Sequence, residues 1–167
     1  MGRFLLFLIL VFVGVAWLGG ELKLPAPAIV QVQAPDRPGR DTAPKVTPEG
    51  LELRRQPGGH FLAEGRVNGH SLDFVVDTGA TAVALTVADA RRAGIPVDPS
   101  RFQPIGVGAS GPVRGQPILI DRVEVAGREA RRIPGAVIEG LQFNLLGQSY
   151  LSQLEEVSLR GDRMVLR

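Results

Sequence analysis

The sequence predicts a mostly β domain: a compact, barrel-like sheet with one or two short helices, set behind an apolar N-terminal segment and a proline-rich linker. Three observations point there. The 167 residues include 21 glycines and 13 prolines but only 5% aromatics, a balance that favours turns and short strands over long helices. From residue 51 onward, short apolar runs alternate with glycine-containing turns. Before residue 51 there is one long uncharged apolar run, followed by proline at high density.

Residues 4–20 read FLLFLILVFVGVAWLGG and carry no charge. Seventeen helical residues span roughly 25 Å, the short end of a bilayer crossing. Arg3 precedes the run while Glu21 and Lys23 follow it, which favours an N-in, C-out orientation. Residues 1–24 are therefore expected to be a transmembrane anchor. The alternative is a cleaved signal segment, with Gly14 and Ala16 as a small-x-small pattern. Either reading puts the rest of the chain outside the cytoplasm. The anchor reading makes this a single-pass inner-membrane protein with its domain on the periplasmic side. Residues 25–50 are expected to be a semi-extended linker, because six prolines (25, 27, 35, 38, 44 and 48) remove backbone donors and block helix and central strand. The folded domain is expected over 51–167.

Within the domain, 51–55 and 60–67 read as strands. Asn68-Gly69 then signals a tight hairpin, since both central residues of a type I′ turn need positive φ. The returning strand, 70–76, alternates. Leu72, Phe74 and Val76 share one face, and Ser71, Asp73 and Val75 the other. A short apolar run follows at 82–85. Thr86 and Asp89 fit an N-terminal capping box, and Gly94 a helix stop, so 87–93 is predicted helical. Further strands are expected at 102–107, 117–125, 136–139, 156–160 and 163–167, with turns at Ala126-Gly127 and Gly161-Asp162. A second short helix is expected at 149–154, with Tyr150 and Leu151 packing into the core.

Composition excludes several functions. No cysteine is present, so disulfides, thiolate nucleophiles and cysteine-ligated metals are ruled out. Two histidines, His60 and His70, make a poor metal set, and no metal or cofactor is expected. A formal charge of +2 is no footprint for nucleic acid. The most informative segment is Phe74-Val75-Val76-Asp77-Thr78-Gly79-Ala80-Thr81. An aspartate stands where an apolar strand ends and a glycine turn begins, which pushes a carboxylate out of a sheet edge on a stiff support. Gly79 allows the sharp turn and brings its N–H to the carboxylate; Thr78 can bond neighbouring backbone. The bland alternative is an Asx-type turn with a solvated aspartate.

FVVDTGATAVAL resembles the active-site loop of the retropepsin-like aspartic proteases, and the likeness continues in order from about residue 60 to 167. GVGASGPVRG, residues 106–115, stands where that family carries a glycine-containing flap, with Gly108, Ala109, Ser110 and Gly111 at its centre. Leu145-Leu146-Gly147 stands where the family carries a hydrophobic-hydrophobic-Gly element beneath the active-site loop. An N-terminal anchor is similar to the bacterial single-pass members. Two departures stand out. Gln148-Ser149 replaces the Arg-Asp pair that follows the late glycine in viral members, and Ala-Ser-Gly replaces the Ala-Asn-Gly frequent in bacterial flaps.

The resemblance implies a single closed retropepsin-like β-barrel and hydrolysis of a polypeptide by water between two aspartates. It implies that Asp77 is catalytic, that Thr78, Gly79, Ala80 and Thr81 support the loop, and that the flap binds substrate. This chain offers one such aspartate. Asp73 lies four residues before Asp77, roughly 13 Å away along a strand, and Asp89, Asp121 and Asp162 lack an adjacent Thr/Ser-Gly. A homodimer with one Asp77 from each subunit is therefore expected, membrane-tethered and able to process its own linker. A non-catalytic peptide-binding or scaffold module on the same fold is the alternative. A metal hydrolase using Asp77 lacks companion ligands.

Overall fold

The computed structural model describes residues 43–108 and 111–167. The predicted membrane segment, residues 25–42 of the predicted linker, and the flap residues Ala109 and Ser110 lie outside the described residues. Among the described residues no helix is long and apolar enough to cross a membrane.

Among the described residues, eleven strands and two short helices follow one another as β1 (Lys45–Thr47), β2 (Gly50–Arg54), β3 (Phe61–Val67), β4 (His70–Val76), β5 (Val83–Leu85), α1 (Val87–Arg92), β6 (Gln103–Gly108), β7 (Gly111–Val125), β8 (Arg128–Ile138), β9 (Asn144–Leu146), α2 (Gln148–Leu151), β10 (Val157–Arg160) and β11 (Arg163–Leu166). A single 3-10 turn, Pro99–Arg101, precedes β6. The mostly β expectation holds, with two short helices.

One antiparallel sheet has the order β1-β2-β11-β10. It joins the beginning and the end of the described chain. Leu53 and Met164 face each other across β2 and β11 and are both buried. Glu52, beside them, is held by Arg54 at 3.0 Å and Arg163 at 2.8 Å. The second sheet runs β3-β4-β9-β5-β8-β7-β6, and β3 also pairs with β7. The registers explain how one strand serves so many neighbours. The 15-residue β7 pairs with β6 over its first part, with β8 from Gly115 to Val125, and with β3 over Val123–Val125. The succession β3-β4-β9-β5-β8-β7 thus returns to its first strand. Its interior is filled by Phe74, Ile120, Ile133, Leu146 and Tyr150, all at most 2% exposed.

Local signals explain most boundaries. Asn68 and Gly69 take φ of 50° and 88°, as the β3–β4 hairpin requires. Ala126 and Gly127 do the same between β7 and β8, at 51° and 78°. Thr86 caps α1, its Oγ1 accepting the Asp89 N–H at 3.1 Å, and Gly94 follows with φ of 71°. The differences have physical causes. Pairing begins at Lys45, inside the predicted linker, because Pro44 and Pro48 flank the three residues of β1 without interrupting them. β7 and β8 begin earlier than predicted. The glycines at 108 and 111 face each other as the root of a hairpin tip, so Pro112–Arg114 continue β7. The charged stretch at the start of β8 carries almost no apolar signal, and its ladder to β7 alone makes it a strand.

Tyr150 is fully buried in α2, and its hydroxyl donates to the Arg128 carbonyl at 2.8 Å. Burial pushes its phenol up to about 12, from an ordinary value of 10.0. The raised folded value means that the neutral phenol stabilises the fold fully below about pH 10, and that this contribution is lost as pH rises towards 12. The chain has one tyrosine, so absorbance at the phenolate band reports this group alone. We expect its titration midpoint near 12 in the folded protein, and the stability advantage of wild type over Tyr150→Phe to shrink between pH 10 and 12 in thermal unfolding.

Candidate active site

The candidate site is built on the end of β4. Val75 and Val76 are buried, so the strand is rigid up to the point where Asp77 emerges, half-buried. The Asp77 N–H donates to the Leu146 carbonyl at 3.2 Å, continuing the β4–β9 ladder by one bond. One carboxylate oxygen of Asp77 accepts the Gly79 N–H at 2.9 Å. Ala80 N–H closes the turn onto the Asp77 carbonyl at 3.2 Å. Thr78 and Gly79 are exposed, and the Thr78 hydroxyl has no hydrogen-bond partner among the described residues.

Beneath this loop lies the predicted Leu145-Leu146-Gly147 element. β9 runs parallel to β4, with Val75 beside Leu145 and Val76 beside Leu146. On its other side, Leu145 pairs antiparallel with Ala84 of β5. The aspartate loop connects β4 to β5, so it arches over the inserted strand. Gly147 is pressed against the underside of the arch. A Cβ there would stand 2.3 Å from the Ala82 carbonyl oxygen and 2.8 Å from that of Ala80. Thr81 and Ala80 are gripped from the same side: Gln148 N–H donates to Ala80 O at 2.8 Å and Ser149 N–H to Thr81 O at 3.1 Å.

Three side chains hold this arrangement: Asn144, which sequence reasoning did not single out, and Ser149 and Gln148, which it marked only as a departure from the viral pattern. Asn144, 3% exposed, donates to Asp73 O on β4 and to the Asp89 carboxylate on α1, and accepts the Thr86 N–H. The predicted capping box is therefore half local and half tertiary. Thr86 serves Asp89, but Asp89 turns to Asn144 and Arg92. Ser149 Oγ accepts the Val83 N–H and donates to Pro134 O. Gln148 Nε2 donates to Thr78 O at 2.9 Å. The only sequence signal for Asn144 was a polar residue opening an apolar run, which by itself reads as a loop end.

The other described aspartates are occupied elsewhere. Asp73 faces Glu64 across β3 and β4, Asp98 caps the 3-10 turn through Ser100, Asp121 lies within β7, and Asp162 binds Arg55 in the β10–β11 turn. No second carboxylate from the described residues joins Asp77. The flap prediction falls on the β6–β7 hairpin, where Gly108 pairs with Gly111 and Val107 is 84% exposed. Arg114 anchors its root, donating to Phe102 O at 3.0 Å and standing 3.5 Å from Glu139. Among the described residues no group of three or more His, Cys, Asp or Glu could hold a metal ion.

The chain is similar to known proteins in sequence and in fold. Residues 63–153, more than half the chain, match the family described as "gag-polyprotein putative aspartyl protease". The chain is 33% identical over 118 residues to an uncharacterized protein from the cobV 5′ region of a Sinorhizobium species, covering 69% of this chain and 50% of that protein. It is 32% identical over 115 residues to an uncharacterized protein of Rickettsia prowazekii, covering 68% and 49% respectively. The chain thus spans about half the length of these relatives. Among solved structures it is similar to a retropepsin-like aspartic protease from Rickettsia conorii, with a TM-score of 0.57, 32% identity, and coverage of 69% of this chain and 86% of that one.

Gly147 offers a clean test of the arch. Its φ of −97° suits any residue, so a substitution there adds crowding without backbone strain. Gly147→Ala is expected to lower unfolding stability by roughly 2–4 kcal/mol in urea denaturation, because the atoms in its way are backbone and cannot swing aside.

Proposed function

This chain belongs to the retropepsin-like aspartic proteases, and from that premise we propose that it is an aspartic endopeptidase whose active site needs two copies of Asp77, one from each subunit of a homodimer. The observation that carries the reading is the lone, half-buried Asp77 on an exposed and tightly braced loop, with no second aspartate from the described chain beside it. Two carboxylates brought within about 3 Å cannot both ionise, so the pair shares a proton and holds an acid and a base together. The base takes a proton from water as its oxygen attacks the scissile carbonyl. The acid protonates the carbonyl oxygen; as the resulting diol collapses, the first carboxyl passes the proton it took from water to the departing amine, and the second takes a proton back from a diol hydroxyl. The titration belongs to the pair.

In this reading Thr78 of each subunit, whose hydroxyl is free within the described chain, bonds across the dimer axis. The β6–β7 hairpin, from Gly108 through Ala109 and Ser110 to Gly111, covers the bound peptide and excludes water. Residues 1–24 anchor the protein in the inner membrane with the protease domain on the periplasmic side, and confinement to one bilayer favours pairing. The proline-rich stretch before Lys45 is a substrate for the protease itself in this reading.

Two experiments test this. Asp77→Asn should abolish cleavage of an unfolded protein substrate by the full chain. In co-expressed wild-type and Asp77→Asn chains at equal amounts, activity should fall to roughly a quarter of that of the same total of wild-type chain, since only one random pairing in four holds two Asp77. A fall to one half would mean that each chain acts alone. Binding of the substrate by wild type without any cleavage would leave a peptide-binding module instead. For self-processing, the wild-type chain should shorten within residues 25–48 on incubation while Asp77→Ala stays intact; equal persistence of both would remove that role.

A further inference from the structure

We propose that Gln148 is a positioning residue for the Asp77 carboxylate, acting through the Thr78–Gly79 peptide plane. The proposal rests on the reading of Asp77 as catalytic. The two groups involved are the two ends of one peptide unit. Gln148 Nε2 donates to the Thr78 carbonyl oxygen at 2.9 Å, and the Gly79 N–H donates to the Asp77 Oδ1, also at 2.9 Å. A peptide unit is planar and trans, so fixing the direction of its oxygen fixes the direction of its N–H. Nothing else among the described residues bonds the Thr78 carbonyl. Glycine at 79 has little steric restraint of its own against rotation of that plane. Gln148 is itself held: its backbone N–H bonds Ala80 O at 2.8 Å, and it opens α2 immediately after the wedged Gly147. The carboxylate is thus oriented from the floor of its own chain by an exposed amide side chain standing where the viral pattern has arginine.

The test is Gln148→Met in the full chain, which keeps the length of the side chain and the backbone N–H bond but removes the donor. Thermal unfolding should change little, because the residue is exposed. Amide exchange of Gly79 should quicken by about tenfold, the scale of one hydrogen bond lost. Cleavage of an unfolded substrate should show kcat reduced by about tenfold with KM within twofold. Unchanged Gly79 exchange in Gln148→Met would overturn the proposal, as would a wild-type kcat in that variant of an active enzyme. A wild-type chain that cleaves nothing would remove the protease reading while the Gly79 exchange rate still decides whether Gln148 holds the peptide plane.

Discussion

The structure depends on one short strand being slotted between two others. β9, three residues long, lies between β4 and β5, parallel to the first and antiparallel to the second. Neighbouring strands stand about 4.8 Å apart, so the connection from β4 to β5 has to cross roughly 10 Å over the inserted strand. Residues 77–82 make that crossing, and their course is dictated from below. Asp77 hangs from Leu146, Ala80 and Thr81 from the first turn of α2, and the underside of the arch touches Gly147 where a larger residue would collide with backbone oxygen. The loop carrying the carboxylate is therefore part of the core ladder, although Thr78 and Gly79 are exposed.

Polar side chains complete what the ladder leaves open. At β9, a three-residue strand has too few backbone groups to bind β4, β5 and α1 together. Asn144 supplies further bonds with one amide, to Asp73 on β4, to Asp89 on α1 and to Thr86, which links β5 to α1. A buried amide is a costly group when unsatisfied, roughly 1–3 kcal/mol for a lost partner, so its arrangement is strongly specified. The same logic holds for Gln116, 2% exposed, which joins Pro96 and Asp98 to β7. Among the described residues no buried side-chain nitrogen or oxygen lacks a partner. The polar core is thus fully used.

What could be read from the amino-acid sequence follows the range of the interactions. The β3–β4 hairpin was legible because Asn68-Gly69 sets its own backbone. The α1 cap was legible because Thr86 and Asp89 are three residues apart. Asp77 was legible because strand, aspartate, threonine and glycine are contiguous. The charged first half of β8 was not, since only the β7 ladder makes it a strand. Nor was β1, which exists as an edge on β2. Asn144 reads as an ordinary loop residue until Asp73 and Asp89, 71 and 55 positions away, are seen to meet it. Gln148 and Ser149 were visible as a departure from the viral pattern, but their partners across the arch were not.

The bracing of the loop bears on how two such chains could work together. Ordering the backbone of a residue costs about 1–2 kcal/mol, so ordering the six residues 77–82 at the moment of association would cost roughly 6–12 kcal/mol. A micromolar dimer is held together by only about 8 kcal/mol. A loop left unordered in the single chain would consume most or all of that. Here the loop is held by bonds to Leu146, Gln148 and Ser149 of its own chain and rests on Gly147, and folding rather than association carries the ordering. In the proposed homodimer, a modest interface is then enough to bring one finished half-site to another. The exposed Thr78 hydroxyl and the Gly79 turn are the groups left over for that contact in the proposed dimer.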